Sequence, residues 1–209
     1  MEGRGKSGAF RFETMRADSV MIPSDHDLLR GLRAGEEEAF TVLYRRWQGP
    51  VYRYALRMSG SPALAEDVTQ EVFMALLRRS EGYDPSRGEL SSYLHGIARN
   101  MARRRLERER SFLPLGEEAG REDPAADLAQ RERTDLVWGG LLGLPLHYRE
   151  AVVLCDLQGL SYEEAATVLG CAVGTVRSRL HRGREQLASR LRSARPVPAA
   201  AQAAPRMVR

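Results

Sequence analysis

The chain has 209 residues, 43% hydrophobic and 29% charged, enough apolar material for one domain or two small ones and too much for wholesale disorder. No window approaches the ~18 consecutive apolar residues of a membrane helix, and no apolar run follows Arg4, Lys6, Arg11 and Arg16. A spanning segment and a secretory signal are therefore not expected. Cys155 and Cys171 make no disulfide scaffold, and no clustered His completes a zinc site, so no metal or cofactor is expected and a reducing cytosol is the default.

Net charge is +4, and Lys6 is the sole lysine among 32 basic residues. The distribution is more telling than the total. Residues 99–110 carry six arginines against two glutamates, residues 111–135 three arginines against seven acids, and residues 174–192 six arginines against one glutamate. Two basic segments separated by an acidic one suggest two polyanion-binding surfaces on a tether.

Residues 1–23 mix Gly, Arg and Ser without period and read as a disordered lead. Ser24 can cap a helix with Asp27 near its positive end, and Leu28, Leu29 and Leu32 follow. After Gly35, the set Ala39, Phe40, Leu43, Tyr44, Trp47, Val51, Tyr54, Ala55 and Met58 steps by three and four, predicting a helix over 36–59 with a kink at Pro50. Ser61-Pro62 opens a third helix whose buried stripe is Leu64, Val68, Val72, Ala75 and Leu76. Residues 82–88 read as a loop. A fourth helix starts at Ser91 or Ser92 on Leu94, Ile97, Ala98 and Met101. Pro114, Gly116 and Gly120 among acids mark a linker. Helices resume near Asp127, stop by Pro145, run again to about Asp156, and give two more after Ser161. The Ala/Pro-rich end reads as a disordered tail. The fold class is all-α, in two small helical domains joined by a flexible acidic linker: residues 24–110 and 127–193, with the linker at 111–126 and the tail at 194–209.

The most specific stretch is 160–191. Ser161 and Glu164 form a capping box, Leu160 can staple onto Ala165, Gly170 supplies a turn, and a second helix starts at Val173 or Gly174. This is a helix-turn-helix. On its second helix, Val176, Leu180, Gly183, Leu187 and Leu191 share one side. The opposite side carries Gly174, Thr175, Ser178, His181 and Arg182, with Arg177 and Arg179 on the flanks. Small polar residues can approach base edges there while flanking arginines meet phosphates.

On the third helix, Glu66, Asp67, Gln70 and Glu71 lie away from the apolar stripe. They suit an acidic docking face for a basic partner, carboxylate chemistry on a metal, or simply a solvated face. On the fourth helix, Arg99, Arg103 and Arg110 align opposite Leu94, Ile97 and Met101, beside a strip of Tyr93, Gly96, Asn100 and Arg104. With the loop residues Tyr83, Asp84, Ser86 and Arg87, this combination of rings, amide and guanidiniums suits single-stranded nucleic acid. Tyr83 and Tyr93 serve equally well as core residues.

These residues resemble a known family. Residues 65–73 (AEDVTQEVF), Tyr83-Asp84, Arg87-Gly88, Tyr93-Leu94 and residues 97–100 (IARN) look like conserved region 2 of extracytoplasmic-function sigma factors, group 4 of the sigma-70 family. Leu144-Pro145, Arg149-Glu150, residues 159–166, Leu169-Gly170, residues 174–180 and residues 182–184 look like region 4. The resemblance covers about residues 25–191.

It implies a promoter-specificity subunit without enzymatic activity. In that reading Asp67, Gln70, Glu71 and Phe73 dock on the coiled coil of the largest RNA polymerase subunit, with region 4 near the polymerase flap. Tyr83, Asp84, Tyr93, Arg99, Asn100 and Arg103 melt and read the minus-ten element. Gly174, Thr175, Arg177, Ser178, Arg179, His181 and Arg182 read the duplex minus-thirty-five element. The acidic linker would thread toward the RNA exit path. An anti-sigma factor is an implied partner, and the implied location is cytoplasmic and nucleoid-associated, or at the membrane when an anti-sigma factor holds the chain there. Tyr93 stands where the family often has Trp, Cys155 where a basic residue is common, and Ala166 where Ile is usual. Gly139, Gly140 and Gly143 are expected to weaken the helix before Pro145 and loosen the second domain. A helix-turn-helix response regulator would need an upstream receiver domain with strands. An enzyme acting through Glu66, Asp67 and Glu71 would need divalent metal.

Overall fold

The structure, a computed structural model, describes residues 23–112 and 128–194, with only the backbone at 87, 109–112 and 128–133. Residues 111 and 112 of the expected linker are the last two of a helix, and the rest of the linker, with all but the edges of the expected lead and tail, lies outside the described residues. Among those described there is no strand.

The N-terminal half contains α1 (Asp25–Arg33), α2 (Glu37–Ser59), α3 (Pro62–Arg79) and α4 (Leu90–Phe112). Their boundaries follow local chemistry. The Ser24 hydroxyl accepts from Asp27 N at 3.1 Å. Gly60, at φ +76°, ends α2 in the left-handed region and returns its N–H to Leu56 O at 2.7 Å. Ser61 caps α3 through Leu64 N, with Pro62 in the first turn, where its missing N–H costs nothing. Helix α2 runs unbroken through Pro50. Helix α4 begins one residue before the expected serines and extends to Phe112.

The expected loop holds two short 3-10 turns, Ser80–Gly82 and Pro85–Arg87. Leu43, Val51, Tyr54, Ala55, Val68, Val72, Leu76, Leu90, Leu94 and Ala98 are fully buried and form the first core. Asp25 grips both Arg46 and the Trp47 indole N–H, tying α1 to α2.

The C-terminal half contains α5 (Leu128–Leu142), α6 (Leu146–Val152), a π turn (Val153–Leu157), α7 (Tyr162–Leu169) and α8 (Val173–Ala194). Ala151, Val153, Leu154, Ala165, Val176 and Leu180 make its core. Of the glycines expected to loosen this half, Gly140 does the opposite. A Cβ at Gly140 would stand 3.0 Å from Leu187 Cδ1, so the bare backbone lets α8 close on α5. Gly183 serves the same end against α6: its Cβ would meet Val152 Cγ2 at 2.8 Å and Tyr148 O at 3.2 Å.

The halves do not stand apart. Helix α7 lies along α4, and α5, α6 and the π turn lie against α2.

Two glycines on α8 should therefore respond with opposite signs. Gly183→Ala overpacks the α6 contact and should lower stability by about 1–3 kcal/mol. Gly174→Ala, with no atom within 4 Å of its Cβ position, should raise helix stability by up to ~1 kcal/mol. Thermal melts of the two variants check this.

Candidate polymerase and nucleic-acid interfaces

The acidic residues of α3 divide between two environments. Asp67 and Glu71 face α4, where Arg105 binds both, at 2.7 Å to Asp67 Oδ2 and 2.5 Å to Glu71 Oε1. The pairing raises the Arg105 pKa, through the Glu71 hydrogen bond above all. A guanidinium thus sits where a metal shared by these two carboxylates would have to sit. Sequence inspection missed Arg105 because a partner 34 and 38 residues away leaves no periodic signal.

Gln70 and Glu66 face the other way, onto a groove of about 550 Å³ between α2 and α3 lined also by Phe40, Tyr44, Met74 and Leu77. Tyr44, Met74 and Leu77 are 37–44% exposed, an apolar floor open to water. Phe73 is buried at 3%, edge-on to Tyr44 with ring centroids 4.8 Å apart. It shapes the groove from beneath and offers a partner little surface of its own.

The loop between α3 and α4 is held from both sides. Tyr83 is buried, donates its hydroxyl to Gly88 O at 3.1 Å, and stacks at a tilt on Tyr93, 5.4 Å between centroids. Tyr83 is therefore a core bolt, while Tyr93 is half exposed. Asp84 caps its own turn, accepting from Ser86 N and Ser86 Oγ at 2.9 and 2.7 Å. Arg33 of α1 clamps the loop by donating to Ser80 O and Tyr83 O at 2.6 and 3.0 Å. No sequence pattern marked Arg33 for that task.

The basic set of α4 is split. Asn100 is exposed, and Arg103 is part exposed, 3.7 Å from Glu107. Arg99 instead points into the C-terminal half, with Nε 2.7 Å from Glu150 Oε1 and only 13% of its side chain exposed. Between the two halves runs a cleft of about 240 Å³ lined by Trp47, Pro50, Ser91, His95, Gln158 and Glu164 among others. His95 Nδ1 lies 2.7 Å from Ser91 O and donates to it, leaving Nε2 buried without a partner.

In the helix-turn-helix, both arms of the capping box are made: Glu164 N to Ser161 Oγ at 3.1 Å, and Ser161 N to Glu164 Oε2 at 2.7 Å. Gly170 adopts φ +63° at the turn. Gly174, Arg177, Ser178, His181 and Arg182 are exposed on α8, and Thr175 and Arg179 are half exposed. Arg177 lies over the Tyr162 ring at 5.6 Å, and Arg179 reaches to 4.0 Å from Cys171 Sγ. His181 lies 3.3 Å from Glu185. Arg184 binds Asp156 with two hydrogen bonds, fixing α8 to the π turn. Burial, then Asp156, pushes the nearby Cys155 thiol up to about 11, so it is not ionised near neutrality.

Comparison with known proteins matches both halves. The sigma-70 region 2 model fits residues 43–112, and the sigma-70 region 4 model fits residues 137–187. The chain is 42% identical over 153 residues to the ECF RNA polymerase sigma factor SigE of Mycolicibacterium smegmatis, covering 69% of this chain and 58% of that protein. It is 37% identical over 172 residues to SigM of Mycobacterium tuberculosis, covering 79% and 83%. Among solved structures, CnrH in complex with the cytosolic domain of CnrY aligns at TM-score 0.64 and 26% identity, covering 82% of this chain and 99% of that one. RpoE in complex with the anti-sigma factor NepR from Bartonella quintana aligns at 0.59 and 25%, covering 81% and 97%. The chain belongs to the sigma-70 family, in its extracytoplasmic-function branch. These are transcription initiation factors that bind RNA polymerase and recognise promoters. None of the described helices is long and apolar enough to cross a membrane.

Burial gives the cleft a pH dependence. Desolvation lowers the His95 pKa from its ordinary 6.5, more than Ser91 O and Glu164 raise it. A group that binds its proton more weakly when buried stabilises the packed form above its free pKa and loses that contribution as pH falls. Protection of the α4–α7 contact in hydrogen exchange should therefore fall below about pH 6.5. In His95→Gln, which cannot gain a proton there, protection should stay level over the same range.

Proposed function

We propose that the two halves divide promoter work as two units, residues 24–110 for polymerase docking and minus-ten opening and residues 127–193 for minus-thirty-five reading. The chain itself catalyses nothing. The observation that carries this reading is the pairing of surfaces. A groove with an apolar floor, lined by Gln70 and Glu66 as well as Arg45, lies in the half matching region 2 beside the Asp67 and Glu71 carboxylates of the same helix, and an exposed basic face lies on the second helix of a helix-turn-helix in the half matching region 4.

On the first unit, Asp67, Gln70 and Glu71 meet a basic coiled coil of polymerase, with Phe73 supporting the groove. Arg105 holds the Asp67 and Glu71 carboxylates in place, so little ordering remains to be done on binding. Tyr93, Asn100 and Arg103 face the separated minus-ten strand, on a platform that Tyr83, Asp84 and Arg33 keep rigid, and Arg99, which the structure turns onto Glu150, belongs to the same set. Stacking and charge suit single strands, whose bases offer a π-face and whose backbone is a polyanion.

On the second unit, Thr175, Ser178, His181 and Arg182 project toward base edges, and Gly174 lets the helix start approach closely. Arg177 and Arg179, on the flanks, suit phosphates. The solved relative bound to the anti-sigma factor NepR supports an anti-sigma partner for this chain and a cytoplasmic place of work.

Transcription in vitro with core polymerase and start-site mapping tests the whole reading: defined starts should depend on the chain. Asp67→Arg should weaken core binding at least tenfold with the fold intact, since like charges brought together at an interface cost several kcal/mol. Fluorescence titration against core polymerase measures it, and unchanged affinity would count against the docking assignment. In the helix-turn-helix, Arg182→Ala should relax preference at one promoter position, worth roughly 1–3 kcal/mol, whereas Arg179→Ala should weaken all duplexes alike and shallow the salt slope by about one unit. Binding to a duplex library at two salt concentrations separates the two.

A further inference from the structure

Arg177 of α8 is steadied by a ring and not by an anion. Its guanidinium carbon lies over the face of Tyr162, 5.6 Å from the ring centroid. Among the described residues it is in no ion pair. Two neighbours on the same helix are held differently. Arg184 donates from Nε and Nη2 to the Asp156 carboxylate at 3.0 and 2.5 Å, and His181 sits 3.3 Å from Glu185. Arg177 is exposed, while Tyr162 is half-buried.

The kind of support matters for a phosphate ligand. A carboxylate partner occupies the N–H edge of a guanidinium, the edge that a phosphate also needs. An aromatic face attracts the cation through its π cloud and leaves the in-plane donors for another acceptor. The ring here is itself well anchored. Tyr162 is the first residue of α7, directly after Ser161, whose capping box with Glu164 is complete, and the side chain packs against the core. Its place in the fold fits as well. In a helix-turn-helix the first helix crosses the DNA backbone while the second enters the major groove. A contact between the start of α7 and the flank of α8 therefore stands where a strand runs.

We propose that Tyr162 is a positioning residue for duplex binding: its ring holds the Arg177 guanidinium in one pose with the N–H edge turned outward. Less side-chain freedom is then lost when a phosphate arrives. The inference rests on the reading above that Arg177 meets phosphate. A phosphate contact carries no sequence information, so the contribution of the ring falls on all duplexes alike.

The test is a double-mutant cycle on the full chain, read by anisotropy against a library of fluorescein-labelled DNA duplexes. Tyr162→Leu removes the ring and should weaken every duplex by roughly two- to fivefold, the size of an exposed cation–π contact. Tyr162→Phe keeps the ring and should hold affinity within about twofold of wild type. In the Arg177→Ala background Tyr162→Leu should have no further effect, which a merely structural role for the ring would not produce. Thermal melts check that the variants fold, and Tyr162→Met, which keeps apolar cover without a ring, takes the place of Tyr162→Leu if that variant does not. Equal losses from Tyr162→Leu in both backgrounds would overturn the inference, as would a Tyr162→Phe loss matching that of Tyr162→Leu, or no loss in either. Arg177→Ala alone separates the two ideas. If it weakens binding and lowers the salt slope while the cycle is additive, only the role of Tyr162 fails. If it changes neither affinity nor slope, the phosphate assignment of Arg177 fails and the inference with it.

Discussion

A buried carboxylate opposite a buried guanidinium decides how the halves of this chain sit. Glu150 and its neighbour Arg149 occupy adjacent positions on α6 and reach in different directions. Glu150 takes Arg99 of α4, while Arg149 gathers carbonyls from Met58 at the end of α2 and from Leu142 and Leu144. Charges this enclosed are costly unless partnered, and removing one member of such a pair commonly costs about 3–5 kcal/mol.

The internal rigidity of each half comes from different means. In the N-terminal half, long-range side-chain contacts do the fastening: Asp25 to Arg46 and Trp47, Arg33 to the loop carbonyls, and Arg105 to Asp67 and Glu71. Each presents a surface in fixed form, which limits the entropy lost when a partner arrives. In the C-terminal half, bare backbone at Gly140 and Gly183 lets α8 approach α5 and α6 closely, and Arg184 bound to Asp156 fixes the base of the recognition helix. A short helix of eight residues such as α7 holds its ends by the complete capping box and the left-handed Gly170.

The two surfaces proposed for polymerase and duplex DNA are open to solvent, the α2–α3 groove with its exposed Tyr44, Met74 and Leu77 and the outer face of α8.

Much of this was legible in the residues themselves. Caps at Ser24, Ser61 and Ser161, glycines at 35 and 170, and apolar steps of three and four place the helices because those signals act within a few residues. The exposed face of α8 follows from the same periodicity. The short-range pattern also marked the acid and basic faces, but it placed Arg99 on the open side of α4 and read the glycines of α5 as loosening, while the family resemblance placed Phe73 on a docking surface. Tertiary structure decided each of these. Arg99 meets a carboxylate 51 positions away, Phe73 turns under two aromatic neighbours, and Gly140 is fitted to Leu187. Periodicity reports which side of a helix is apolar. It carries no information on which distant element covers the polar side, because that depends on how whole helices pack in three dimensions.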